Sequence, residues 1–164
     1  MASTYTPIAT TTLGSAASSY TFTSIPSTYT DLVIVASVQG SSTNVIRCQF
    51  NSDTAGNYSD TQLLGNGTAA SSGRDSNVTY IYLGAAGMTT AASTFDVSIT
   101  HVMNYANTTT YKTVISRNAE VSTGSSAAVG MWRNTAAITS ITLLKGVGNF
   151  QTGSTFTLYG IKAA

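Results

Sequence analysis

The chain has 164 residues, enough for one domain with a sizeable core, and its formal net charge of +1 leaves no electrostatic footprint for nucleic acid, an anionic membrane surface or acidic substrates. Only 8% of the residues are charged and close to a third are Ser or Thr, so the surface is hydroxyl-rich and nearly neutral, and bare strand edges on such a surface point to self-association. The lone Cys48 excludes an internal disulfide, no apolar run reaches the length of a membrane span, and the first seven residues lack the basic and apolar regions of a secretion signal.

No segment sustains a helical apolar period, whereas β-branched and aromatic residues dominate the apolar runs. In chain order, strands are predicted at Tyr5–Leu13, Tyr20–Thr23, Asp31–Val38, Val45–Asn51, Val78–Leu83, Phe95–Asn104, Tyr111–Val121, Ala128–Arg133, Ile138–Lys145 and Ser154–Ile161. Gly- and Asn-rich pieces separate them, including Asp53–Asn57, Gly65–Gly67, Ser71–Asp75 and Gly124–Ser126, and these read as turns. Eight to ten short strands without intervening helices define an all-β fold: an antiparallel, jelly-roll-like β-sandwich. It forms a single domain over residues 1–164, with residues 1–13 as a contact arm or edge strand.

Alternation is clearest in Phe95, Val97, Ile99, His101 and Met103, which share one strand face and are expected to point into the core. In the last strand Phe156 and Leu158 share one face, while Tyr159 and Ile161 share the other. That strand is expected to be covered on both sides.

Hydrolytic triads and metal sites need convergent ligand and acid–base groups, and this chain offers one His, one Cys and six scattered acids. No catalytic residue and no cofactor follow from such an inventory. His101 reads as a half-buried histidine bonded to the backbone, and Cys48, between Ile46 and Phe50 in alternation, as a small buried thiol. The one candidate cation loop contains Asp53, Asn57 and Asp60 around Gly56; the competing reading is an Asx-turn capped by Asp53. Tyr80 and Tyr82 on one strand face, with Met131-Trp132-Arg133, could form a stacking surface for sugars, or pack within the core or a subunit interface.

Three stretches carry a resemblance: Ile25-Pro26 with Tyr29 and Asp31-Leu32; Phe50-Asn51-Ser52-Asp53 with Asn57-Tyr58; and Phe156 to Lys162. Together they make the chain, from Tyr5 to Lys162, resemble a widespread class of tailed-bacteriophage virion proteins, found as capsid decoration (cement) proteins, head fibres and tail-fibre tips. The resemblance implies a jelly-roll sandwich assembled as a homotrimer on the virion, made in the bacterial host cytoplasm. Its motif positions hold no catalytic residue. Pro26 fixes a turn, Tyr29 anchors the loop and Asp31 caps it ahead of a buried strand. The absence of a coiled coil or tail-attachment domain favours a decoration protein whose partner is the major capsid protein, on the capsid surface. A fibre tip binding a host receptor or glycan is the alternative.

Overall fold

The computed structural model describes residues 4–162. Twelve strands form two antiparallel sheets, and no helix occurs among the described residues. In chain order they are β1 (Tyr5–Thr12), β2 (Ser19–Phe22), β3 (Asp31–Val38), β4 (Ile46–Phe50), β5 (Tyr58–Gly65), β6 (Ala70–Val78), β7 (Ile81–Tyr82), β8 (Asp96–Met103), β9 (Lys112–Glu120), β10 (Gly124–Trp132), β11 (Ile141–Lys145) and β12 (Thr155–Ile161). One sheet has eight strands in the order β1-β12-β3-β8-β9-β10-β5-β6, and the other four in the order β2-β11-β4-β7.

The core lies between the sheets. Phe22, Ile46, Cys48, Phe50, Ile141 and Leu143 project from the smaller sheet onto Leu32, Ile34, Val102, Val114, Trp132, Phe156 and Leu158 of the larger one. The β-sandwich predicted from the alternating pattern is therefore present, with residues 5–12 as an edge strand paired to β12. Residues 1–3, the start of the expected contact arm, lie outside the described residues.

Two strands exceed the eight to ten expected. Ser71–Asp75 was expected to be a turn and instead lies inside β6, while Gly124–Ser126 opens β10. Strand β6 escapes alternation because it is an edge strand exposed over most of its length, so no apolar face marks it. In β5 the inward positions include Asp60 as well as Tyr58, which breaks the apolar period.

The orientation of β8 is the main correction. Ser98, Thr100 and Val102 face the core, while Val97 is 49% exposed and Ile99, His101 and Met103 lie on the outer face with it. The cause is the segment at residues 83–89, an irregular and mostly buried stretch lying against the inner side of β8, β9 and β10. Its backbone groups have no ladder of their own, and buried N–H and C=O groups require partners. Side chains of the sheet supply them. Ser116 Oγ donates to Leu83 O at 2.9 Å, Asn118 Nδ2 donates to Ala86 O at 2.8 Å, and Ser126 Oγ accepts from Ala85 N and Ala86 N at 3.0 Å each. Thr123 Oγ1 accepts from Gly87 N, and Asp96 Oδ2 from Thr89 N. With its polar residues turned inward, each strand turns its intervening apolar residues outward. The last strand differs in the same sense: Phe156 and Leu158 are buried, whereas Tyr159 and Ile161 are half-buried on the outer face.

The first and third motif stretches meet in space. The Tyr29 ring packs directly on Gly160, where a Cβ would collide with it, and Tyr105 Oη donates to Pro26 O. Asp31 Oδ1 accepts from Asn104 N at 2.6 Å, so it ties its strand to the end of β8 and not to its own loop.

This inversion has a measurable consequence. Ser116→Ala leaves Leu83 O without its donor and lowers the unfolding free energy by about 1–3 kcal/mol. Ile115→Ala next to it costs less than about 1 kcal/mol, because the side chain is already 42% exposed. Denaturant melts of the two variants check this ordering, and equal or reversed losses would refute it.

Candidate docking face

The outer side of the eight-stranded sheet is the candidate functional site. Strict alternation in β9 and β10 buries Val114, Ser116, Ser126 and Ala128 and exposes Ile115, Arg117, Ala127 and Val129. Pairing aligns these outer residues into rows across the sheet. One row runs Tyr159, Val33, His101, Ile115, Val129, Thr61 and Arg74. The next runs Thr157, Val35, Ile99, Arg117, Ala127, Leu63 and Ser72. Val129 is 52% and Leu63 58% exposed, so the apolar stripe faces solvent over β9, β10 and β5, whereas Val33 at its β3 end is buried. Large contiguous apolar patches of this kind mark interaction surfaces.

Three open hollows lie along the same face. One of about 390 Å³ is lined by Val97, Ile99, Arg117 and Ala119; another of about 400 Å³ lies between Leu63 and Ala127. The third, about 250 Å³, adjoins Arg74, Val129 and Met131. Shallow and open, they suit the side chains of a facing surface better than an enclosed small molecule.

His101 belongs to this face. It sits between Val33 and Ile115, half-buried among outer residues, and not in the core as its neighbours' hydrophobicity suggests. Cys48 is fully buried between the sheets, and desolvation pushes its thiol far above the ordinary range.

Asp53 and Asn57 meet in the loop, whereas Asp60 is held by other partners. Asp53 forms an Asx-turn, its Oδ1 accepting from Ala55 N at 2.9 Å. Its Oδ2 accepts from Asn57 Nδ2 and Trp132 Nε1, each at 2.8 Å. Asn57 thus presents its amide nitrogen, not an oxygen ligand, to Asp53. Burial pushes the Asp53 carboxyl up, but these three hydrogen bonds outweigh it and hold the group below the usual range. Asp60 lies in β5 and not in the loop, where its oxygens accept from Gln62 Nε2 at 2.8 Å and Tyr82 N at 3.1 Å. No group of three or more His, Cys, Asp or Glu side chains among the described residues is placed to hold a metal ion.

The candidate stacking aromatics are already engaged. Trp132 is buried and tilted against Phe50 with ring centroids 5.6 Å apart. The Arg47 guanidinium lies 4.2 Å over the Tyr80 ring and 5.1 Å from that of Tyr82, and its Nη2 donates to Tyr82 Oη at 3.2 Å. Arg133 Nη2 donates to Gly56 O and to Asn77 Oδ1, holding the Asp53 loop against β6.

Sequence reasoning did not find the buried lysines. Lys112 Nζ donates to Thr110 O at 2.8 Å and Thr135 O at 3.1 Å; Lys145 Nζ donates to Ser42 O at 2.8 Å and Asn44 O at 2.7 Å. Desolvation draws Lys145 down to about 8. The signal was present in β11, where Lys145 continues the inward series Ile141 and Leu143.

No protein-family model matches the chain, and a search of curated proteins finds no match.

Asp60 generates a pH prediction. Burial is the largest influence on its carboxyl and raises it above the ordinary range, so the folded state binds that proton more tightly than the unfolded chain. Its contribution to stability is therefore least at neutral pH and grows as pH falls through the raised value. Asp60→Asn removes that dependence. The stability of wild type relative to Asp60→Asn should rise between pH 7 and pH 4 in paired thermal melts; a flat or falling difference contradicts the assignment.

Proposed function

We propose that this chain is a non-enzymatic structural protein of a phage virion, a capsid decoration protein that binds the shell through the outer face of its eight-stranded sheet. The observation that carries the reading is that face itself, which presents Val97, Ile115, Val129 and Leu63 to solvent on a continuous antiparallel platform. Six strands, from β3 to β6, span about 29 Å at the usual strand spacing, and their length of about 26 Å makes a surface of roughly 750 Å². A standard protein–protein interface takes about 800 Å² from each partner. The resemblance of the three motif stretches to phage virion proteins supports the setting. The major capsid protein is then the partner, and the two outermost strands of the sheet, β1 and β6, are the surfaces for a homotrimer.

Decoration of a shell and display at a fibre tip differ in stoichiometry. Quantitative mass spectrometry of purified virions should find this chain in proportion to the capsomers, and labelled particles should show it over the capsid. A few copies at the tail would instead favour receptor or glycan binding. Val129→Asp should abolish retention on particles while shifting the unfolding midpoint little, since the side chain is half exposed. Undiminished retention would remove this face from the account.

A further inference from the structure

All six carboxylates of this chain are turned to internal use. Asp31 accepts from Asn104 N and Asp96 from Thr89 N. Asp53 and Asp60 are held as described above, and Asp75 Oδ2 accepts from Gln62 Nε2 at 3.4 Å. Glu120 Oε2 takes four donors, the N–H and hydroxyl groups of Ser122 and Thr123, at 2.5–3.0 Å. None of the six is exposed. The exposed charged side chains among the described residues are Arg74, Arg117 and Lys162. The most exposed charged side chains are therefore all cationic, while the acids are half-buried, or buried in the case of Asp60 and Glu120.

Two of those cations stand on the docking face. Arg117 lies on β9 and Arg74 on β6, three strands away, so about 15 Å separates them with Ile115, Val129 and Leu63 between. The outward residues of β8, β9, β10, β5 and β6 include no carboxylate; the one acid on this face is the half-buried Asp31 at the start of β3, which already accepts from Asn104 N.

We propose that the occupant of this face is a different protein whose surface sets carboxylates beside apolar side chains, and not a second copy of this chain. A second copy placed face to face offers Arg74 and Arg117 only Asp31 on the same face, and that carboxylate, like the other five, is already held by internal donors. Like charges across an interface disfavour a partner, whereas complementary charge selects one and fixes its register. The apolar ridge supplies the buried area, and the two arginines, which bind carboxylates in bidentate geometry, supply the orientation.

The inference rests on the docking role proposed above and not on the virion setting, so the two can fail separately. An extended peptide alternating Glu and Val, and its Lys-for-Glu counterpart, are titrated into isotope-labelled protein while amide shifts are followed. The acidic peptide should shift residues of β8, β9, β10 and β5, the basic peptide should not, and Arg117→Gln and Arg74→Gln together should weaken the acidic peptide at least about tenfold. Equal response to both peptides, shifts confined to the β6 edge, or no loss in the double variant overturns the proposal. Sedimentation supplies a second arm. Ile115→Asp should leave the solution mass of the protein unchanged, and a fall to a smaller species would show that a copy of the chain covers the face. Absence of the protein from virion shells would remove the setting and leave both measurements standing.

Discussion

The arrangement depends on a requirement of the peptide backbone: residues 83–89 run buried and irregular beneath β8, β9 and β10, and their N–H and C=O groups have to be met there. Ser116, Asn118, Thr123, Ser126 and Asp96 meet them. Gly84, at φ 140°, admits this packing, since a Cβ there would strike Asn118 Oδ1 and Ser126 Oγ. Polar residues are thereby drawn inward along three neighbouring strands. Because strand side chains alternate, the apolar residues of the same strands are left outside. The docking face is thus the other side of a hydrogen-bonding solution, and its hydrophobicity and the buried hydroxyl network have one cause.

The same economy governs charge. The carboxylates accept from backbone amides and short side chains, closing turns at Asp53 and Glu120 and pinning Asn104 to the start of β3. The buried lysines donate to carbonyl oxygens of loops: Lys145 joins the Ser42–Asn44 turn to β11, and Lys112 joins Thr110 to Thr135. Charge serves here as a strong hydrogen-bonding group at places where the chain changes direction. With 8% of its residues charged and every acid engaged internally, the chain has few ionic groups left for the surface.

Much of the fold was legible in the sequence. Strands such as β3, β4, β11 and β12 carry β-branched and aromatic residues at inward positions, and Phe50, Leu143 and Phe156 are buried as their period indicates. The Asx-turn at Asp53 was legible from Asp and Gly spacing. Two things were not. Edge strand β6, with Ser71, Ser72 and Gly73, has no buried face to write an apolar pattern, so local composition reads as turn. In β8 the period was correct and its direction wrong, because Phe95 to Met103 reports which residues share a face and not which layer covers it. The covering layer is a segment with no regular structure, and only its hydrogen-bond demand gives it away. The docking face was misread for that reason: its residues resembled a core.

Strand β12, at residues 155–161, pairs with β1 on one side and β3 on the other, so the twelfth strand of the sandwich lies between the first and the third. Until residue 161 has left the ribosome, β3 lacks a neighbour on that side and β1 has nothing to join. Sheets closed by such distant pairings form slowly, since long loops have to be ordered before any contact repays them. In the interval β3, with its run Leu32-Val33-Ile34-Val35, presents an unpaired apolar edge to other nascent chains. The eight-stranded sheet is therefore completed between β1 and β3 only after the other eleven strands have been made.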